Sequence, residues 1–532
     1  MTNSTLTPLG NQLAHFMETI KIHEANSRDK TSPETYHVPN MGHVVSSLYE
    51  QLRNASENIE EHLLLQKAIR RFYDRNIQFI DHQAPNGLAE ELAIELTLAE
   101  YVANDSIEIA KITEINQLVR EAYQVYWQIA EQSPNISRAT TRKWVLDIMA
   151  VRSEQILNDP TRLLTFAHFA QNYFSDKVSV ERHIASQERV APDTHQTIIY
   201  IAVHRALLKS DDATIRSMLL DLHGATLSNT ESLVALNQRY DALFELKTTD
   251  NLTRLISKNG APFRIIRQAF FEDNASAKPQ LLAEPSHLAS YLSQTIEDAY
   301  SDTRSTLNRG IIKSIIFLLL TKAVIGVFIE IPYDIAVHGE IAIWPLIINL
   351  FFPAAFIALT TWTLKMPTST NTDRIIRTIE SIIYQQTETP KSAELRINRE
   401  SRHSKIFSVA YAILFASVVA GVVYGLTLLN FNLVQILIFV IFLSTAAFLG
   451  YRLSLQVKAL EVVGSEQNIL EILRDFIYMP FIFIGHQISY RYAKINIIAR
   501  LLDNAIELPL KTTLRLVRQW SSFLSNKKDE IL

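Results

Sequence analysis

The chain has 532 residues, with 51 Lys and Arg against 55 Asp and Glu, and no cysteine. The lack of Cys excludes disulfides, thiolate zinc sites, iron–sulfur clusters and a cysteine nucleophile together. Charge is segregated: residues 1–300 hold 38 acidic and 28 basic side chains, a balance of −10, and the remaining 232 hold 17 and 23, a balance of +6. That asymmetry argues against nucleic acid as a partner of the front half and for anionic lipid near the rear.

From the N-terminus, Leu9, Leu13, Phe16 and Ile20 repeat at helical spacing before a polar linker carrying Pro33 and Pro39. Residues 1–40 therefore read as a helix and linker, with no apolar run after a basic start to suggest a cleaved leader. Residues 41–308 read as a helical cytoplasmic domain. Val45, Leu48, Leu52, Ala55 and Ile59 form one apolar stripe, and Ile112, Ile115, Val119, Ala122 and Tyr126 form another. Pro85 with Gly87, Pro134, Pro160, Pro192 and Asn259–Gly260 punctuate these helices. Ser228 with Glu231 has capping-box spacing ahead of Leu233, Leu236 and Leu243. Period-two strands with hairpin turns are lacking, so the expected class is all-α.

The membrane domain is expected over 309–452. Residues 314–331, 341–364, 406–429 and 433–450 are apolar runs, each near the length that crosses hydrocarbon as a helix. The connection after the first run carries Asp334 and Glu340 and no basic residue. The 365–405 loop carries eight basic residues, Arg374 and Arg377 among them, and the third connection, Asn430–Asn432, is uncharged. The basic loops fall on one side, which predicts a multi-pass protein with both termini cytoplasmic. Residues 453–532 read as a cytoplasmic helical tail. Within it, 476–490 is apolar, short and broken by Pro480, which suits a segment that is interfacial or packed on the bundle. Residues 510–524 form a basic amphipathic helix with Lys511, Arg515 and Arg518 placed to contact anionic headgroups.

Searches for chemistry return little. The thirteen glycines are too dispersed for a P-loop, a G-x-G-x-x-G turn or a nucleophile elbow. None of the fifteen histidines has another three to five residues on, so helical zinc-ligand spacing is missing, and no cofactor motif is present. Three features remain in the membrane domain. Lys322 and Glu330 fall inside the first run, where charge is costly and points either to function or to a snorkelling side chain. Asn349 lies between Pro345 and Pro353 in the second run, where it can hydrogen-bond between helices. Ser417, Gly421 and Gly425 make a small-residue ridge in the third, suited to close packing within the bundle or between protomers.

Residues 46–72, 321–335, 364–384 and 508–520 resemble segments of a group of uncharacterised multi-helix membrane proteins of small-genome, candidate-phylum bacteria. The resemblance implies the same layout in a bacterial cytoplasmic membrane and brings no activity with it. The expected function is a membrane-anchored helical scaffold docking a cytoplasmic protein partner. The alternative is an oligomeric transport or channel component using the polar intramembrane residues.

Overall fold

The computed structural model describes residues 5–28, 34–39, 43–56, 61–178, 192–225, 227, 229–272, 279–362, 364, 366–385, 404–462, 469–495, 512–513, 516 and 520. These residues are helical with no strand among them, and the two pairings of extended backbone are isolated bridges. Two compact units emerge: residues 12–256, grouped with 496–532, and residues 257–495, grouped with 1–11. Residues 257–308 thus belong with the membrane helices, whereas the sequence placed them in the soluble domain.

The first unit contains α1 (Pro8–Arg28, shared with the second at its start), α2 (His43–Ser56), α3 (Leu64–Asn76), α4 (Leu88–Leu98), α5 (Ile109–Gln132) and α6 (Arg138–Leu157). It continues through α7 (Thr161–Lys177), α8 (Pro192–Val203), α9 (Asp212–Leu222), α10 (Thr230–Phe244) and α11 (Lys247–Lys258). The α5 stripe of Ile112, Ile115, Val119, Ala122 and Tyr126 is buried throughout, as its spacing predicts. Two local expectations fail. On α2, Leu48 is 56% exposed while Tyr49, Glu50 and Arg53 are buried. The cause is electrostatic: Glu50 accepts from Arg71 at 2.7 Å and from the Tyr101 hydroxyl at 2.9 Å, which turns the polar face of α2 inward. The α10 cap is Asn229, whose side chain accepts from the Ser232 N–H at 3.1 Å. Asn serves at an N-cap at least as well as Ser.

The second unit begins with α12 (Ala261–Phe270) and α13 (Pro285–Ile325), which runs through a π-helical turn (Gly326–Glu330) into α14 (Ile331–His338). The first span is therefore the far end of one uninterrupted helical rod from Pro285 to His338. Leu288, Leu292, Ile296 and Ala299 bury the near end. Then come α15 (Ile343–Trp362), α16 (Ser369–Ile383), α17 (Ser404–Leu428), α18 (Leu433–Lys458) and α19 (Ile469–Ile495). The N-terminus is stitched to this unit, since the Thr7 N–H donates to the Ile383 carbonyl at 2.8 Å and the Gln385 N–H to that of Thr5 at 2.9 Å.

Four helices are long and apolar enough to cross a membrane, and each overlaps one of the four runs read from the sequence, two of which extend a few residues past the helix. The most apolar window of α18 is 56% buried and that of α17 only 6%, so α18 is the hub and α17 the periphery. Their outward residues are apolar, including Phe317, Leu320, Phe328, Phe351 and Ile413. A soluble protein rarely exposes so continuous an apolar surface. Trp344 and Trp362, 75% and 85% exposed, mark the two ends of α15. Eighteen residues of helix separate them by about 27 Å, close to the hydrocarbon thickness that interfacial tryptophans bracket.

The 476–490 segment is not a separate surface strip. It lies inside α19, which runs antiparallel along α18. Tyr478, Met479 and Ile482 share a pocket wall with Gly450, Tyr451 and Ser454. Seven residues further on, Gly485 meets Ser444 so closely that an added Cβ would collide with the Ser444 carbonyl. Phe481 packs into the cluster of Leu426, Phe431, Phe439, Leu443 and Ala447.

Candidate intramembrane polar site

Proline chemistry shapes the site. Pro332 has no N–H to donate and its ring crowds the carbonyl four residues back, so an ordinary α-turn cannot continue through it. The chain widens instead: the Ile331 N–H bonds the Gly326 carbonyl in a π-turn. This turn absorbs one residue. Positions eight apart in a regular helix differ by about 80° around the axis; losing one residue brings them to within about 20°. Lys322 and Glu330 consequently share a face, and Asp334, one α-turn later, joins it.

Lys322, Glu330 and Asp334 are 2%, 1% and 1% exposed, and Asn349 is fully buried. The Lys322 ammonium donates to Glu330 Oε1 and lies 5.0 Å from the centre of the Phe442 ring. Snorkelling is thereby excluded for Lys322, because its charged end is inside the bundle. The pair forms within one rod, which simple rise per residue argues against. A Glu side chain leans toward the helix N-terminus, so it closes much of the axial gap to a lysine reaching the other way.

Asn349 on α15 completes the group. Its Nδ2 donates to Glu330 Oε1 at 3.1 Å and to the Gln435 carbonyl at 3.3 Å, and these two acceptors fix the orientation of the amide. Gln435, at the start of α18, donates from Nε2 to Asp334 Oδ2 at 2.9 Å, and Asn432 Nδ2 donates to Asp334 Oδ1 at 2.7 Å. The Ala342 N–H approaches Asp334 at 3.4 Å. Asp334 thus sits where α15 and α18 both begin, and the positive ends of the two helix dipoles favour its charge. Asn432 and Gln435 also form a reciprocal capping box on α18. The result is a hydrogen-bonded chain from Lys322 through Glu330, Asn349 and Gln435 to Asp334 and Asn432. Asn349 lies five residues from Trp344, about 8 Å inside the boundary that this tryptophan marks.

Two acceptors in this chain have no partner among the described residues: Glu330 Oε2 and Asn349 Oδ1. Pro353 offers no N–H to the main-chain carbonyl of Asn349 four residues earlier.

The structure gathers Lys322, Glu330 and Asn349 into one site. It does not bury the small-residue ridge: Ser417 and Gly421 face outward, and no atom lies within 4 Å of a Cβ built on Gly421 or Gly425. Lys511, Arg515 and Arg518 lie outside the described residues. Asp334 and Asn432 were missed because they read as loop residues, and Gln435 because it opens an apolar run. The four-residue step from Glu330 to Asp334 and the capping-box spacing of Asn432 and Gln435 were the available signals.

The helical unit holds titratable groups of a different kind. His204 is fully buried with Nδ1 at 3.2 Å from Ser210 Oγ; burial, helped by the charge of nearby His168, drives it down to about 3. Burial pushes Glu154 up to about 7, against a smaller opposite effect of its hydrogen bond to Asn158. No group of three or more His, Cys, Asp or Glu able to hold a metal is present among the described residues. No family model, curated protein or solved structure matches the chain.

Proposed function

We propose that the chain is a membrane-anchored helical scaffold of a bacterial cytoplasmic membrane, whose residues 12–256 dock a protein partner in the cytoplasm. The observation that carries the reading is the rod from Pro285 to His338. It is packed by Leu288, Leu292 and Ile296 at one end and is the first span at the other, so the helices packed on its near end within residues 257–495 are carried directly on the first span. Residues 12–256 have a core of their own and an open cleft of about 630 Å³ lined by Gln124, Val125, Gln128, Arg152, Gly224 and Leu227. A photo-crosslinking residue at Gln128 in the full-length protein should capture one discrete protein in cells, and the same probe at Lys258 should not. Identical adduct patterns at the two positions would remove the scaffold reading.

The loop charges support a cytoplasmic N-terminal region, tested by cysteines at Ala336 (labelled from outside) and Ser381 (protected). For the C-terminus two arguments compete. The basic tail favours the cytoplasm. The α18 pairing favours a fifth crossing. Gly485 is level with Ser444, so ten more residues of antiparallel helix bring Ile495 level with the start of α18 at Leu433. We give the charges precedence, because Arg491, Lys494 and Arg500 follow within the stretch that the charge bias reads, which keeps the C-terminus cytoplasmic. The fifteen uncharged residues 476–490 cover only about 22 Å, short of the roughly 30 Å of hydrocarbon.

A second reading, a transport or channel component, is favoured by the burial of Lys322, Glu330 and Asn349 together, because intramembrane charge is kept where it is used. Vesicles containing the purified protein should then pass a cation that empty vesicles and a Glu330→Gln variant do not.

A further inference from the structure

We propose that Glu330 and Asn349 form a binding site for one small monovalent cation, an alkali ion or a proton, for which the Lys322 ammonium competes. This goes beyond the scaffold reading and deepens the transport reading, yet binding can be measured whether or not an ion crosses. The case rests on a mismatch of donors and acceptors. Glu330 Oε2 and Asn349 Oδ1 are buried acceptors without partners. The Asn349 amide cannot turn to cure this, because its Nδ2 already serves Glu330 Oε1 and the Gln435 carbonyl. Pro353 withdraws the usual donor from the Asn349 main-chain carbonyl. Three oxygens, from two side chains that touch each other and one main-chain group, therefore belong to a short stretch of α15 and the π-turn, about 8 Å inside the Trp344 boundary.

Oxygen-only donors with a single carboxylate suit a hard monovalent ion, and helices interrupted within the bilayer commonly expose carbonyls for that purpose. Among the described residues no cluster fit for a multivalent metal is present. Lys322 holds the same carboxylate through Oε1 only and otherwise rests against the Phe442 ring. An incoming cation on Oε2 shares that carboxylate and weakens its hold on the ammonium. Exchange between the two is the chemistry the arrangement allows. The chain onward through Gln435 to Asp334 and Asn432 leads from the site to the end of the bundle where the short turns lie.

The test uses the full-length protein in neutral detergent at fixed ionic strength, with choline replaced stepwise by sodium or potassium and the unfolding temperature followed. The expected result is a saturable rise for one alkali ion in the wild type, absent in Asn349→Leu and Glu330→Gln. In Lys322→Met the apparent dissociation constant should fall by about tenfold, because the competing ammonium is gone. In the proton arm, choline is kept and pH varied; a part of the pH response that Glu330→Gln removes, beyond what His204 and Glu154 contribute in both proteins, supports the proposal equally. A wild-type protein indifferent to alkali ions, with the same pH response as Glu330→Gln, overturns it and leaves a bridging water as the occupant of the acceptors. Equal responses in wild type and Asn349→Leu overturn it as well, because they mark a general salt effect.

Discussion

Replacing Lys322 by methionine separates the two accounts of an intramembrane charge most sharply. A snorkelling lysine costs the bundle something, and insertion scales put a charge near the bilayer centre at about 2.5–3.5 kcal/mol. Its removal would then be neutral or stabilising. The structure demands the opposite. Glu330 is 1% exposed, and without Lys322 its carboxylate keeps one neutral donor, Asn349 Nδ2 at 3.1 Å. Breaking a buried pair from one side costs about 3–5 kcal/mol, since the stranded charge dominates. The contact of Lys322 with the Phe442 ring, at 5.0 Å, is lost as well and is worth up to about 2 kcal/mol when desolvated. Lys322→Met should therefore destabilise by at least about 3 kcal/mol. Adding Glu330→Gln removes the stranded charge, and the double variant should return to within about 1 kcal/mol of the wild type; because Glu330→Gln alone strands the ammonium at a similar cost, the coupling energy is about 5 kcal/mol or more. The assay is reversible unfolding in mixed micelles by a denaturing detergent, followed by circular dichroism for the four members of the cycle. A Lys322→Met protein as stable as the wild type would refute the buried pair.

Further expectations concern packing, topology, acid–base behaviour and the tail. Gly485→Ala should destabilise by about 1–3 kcal/mol, the usual cost of overpacking, because the new Cβ drives α19 off the Ser444 carbonyl; thermal melts in detergent measure this, and an unchanged melt would break the α18–α19 register. A cysteine at Ser525 should be protected like one at Ser381, and labelling of Ser525 from the side of Ala336 would place the C-terminus outside. His204, held near 3, binds fewer protons folded than unfolded, so its contribution to stability is present above about 6.5 and lost as pH falls toward 3. His204→Gln should flatten the stability profile in that window. Glu154, raised to about 7, has the opposite sign: the folded state binds the extra proton, and stability is lost as pH rises from about 4.5 to 7. Glu154→Gln should then gain on the wild type at pH 8 and match it at pH 4. A peptide of residues 508–530 should gain helicity with anionic vesicles and lose the gain in high salt; equal helicity with neutral vesicles would leave Lys511, Arg515 and Arg518 without a lipid role.

By itself the sequence determined the helical class and the four apolar spans. It also determined core faces such as Ile112 to Tyr126, because helical periodicity and span length are local properties that one stretch of chain carries whole. Only the tertiary structure decided which polar groups meet. Asp334 belongs to α14 and its partners Asn432 and Gln435 to α18, about a hundred residues later, so their pairing depends on how the two helices meet. Leu48 shows the same limit on a smaller scale. Its spacing predicts burial, yet Glu50, paired with Arg71 21 positions away, is buried and Leu48 is not; the other residues of that stripe lie outside the described side chains. Lys322 and Glu330 were visible as intramembrane charges, but their contact required a π-turn imposed by Pro332, which changes the face that residues eight apart present. Burial of the pair also required α18 behind it, and α18 starts more than a hundred residues later. Periodicity specifies which side of a helix wants shelter; the partner that supplies it is chosen in three dimensions.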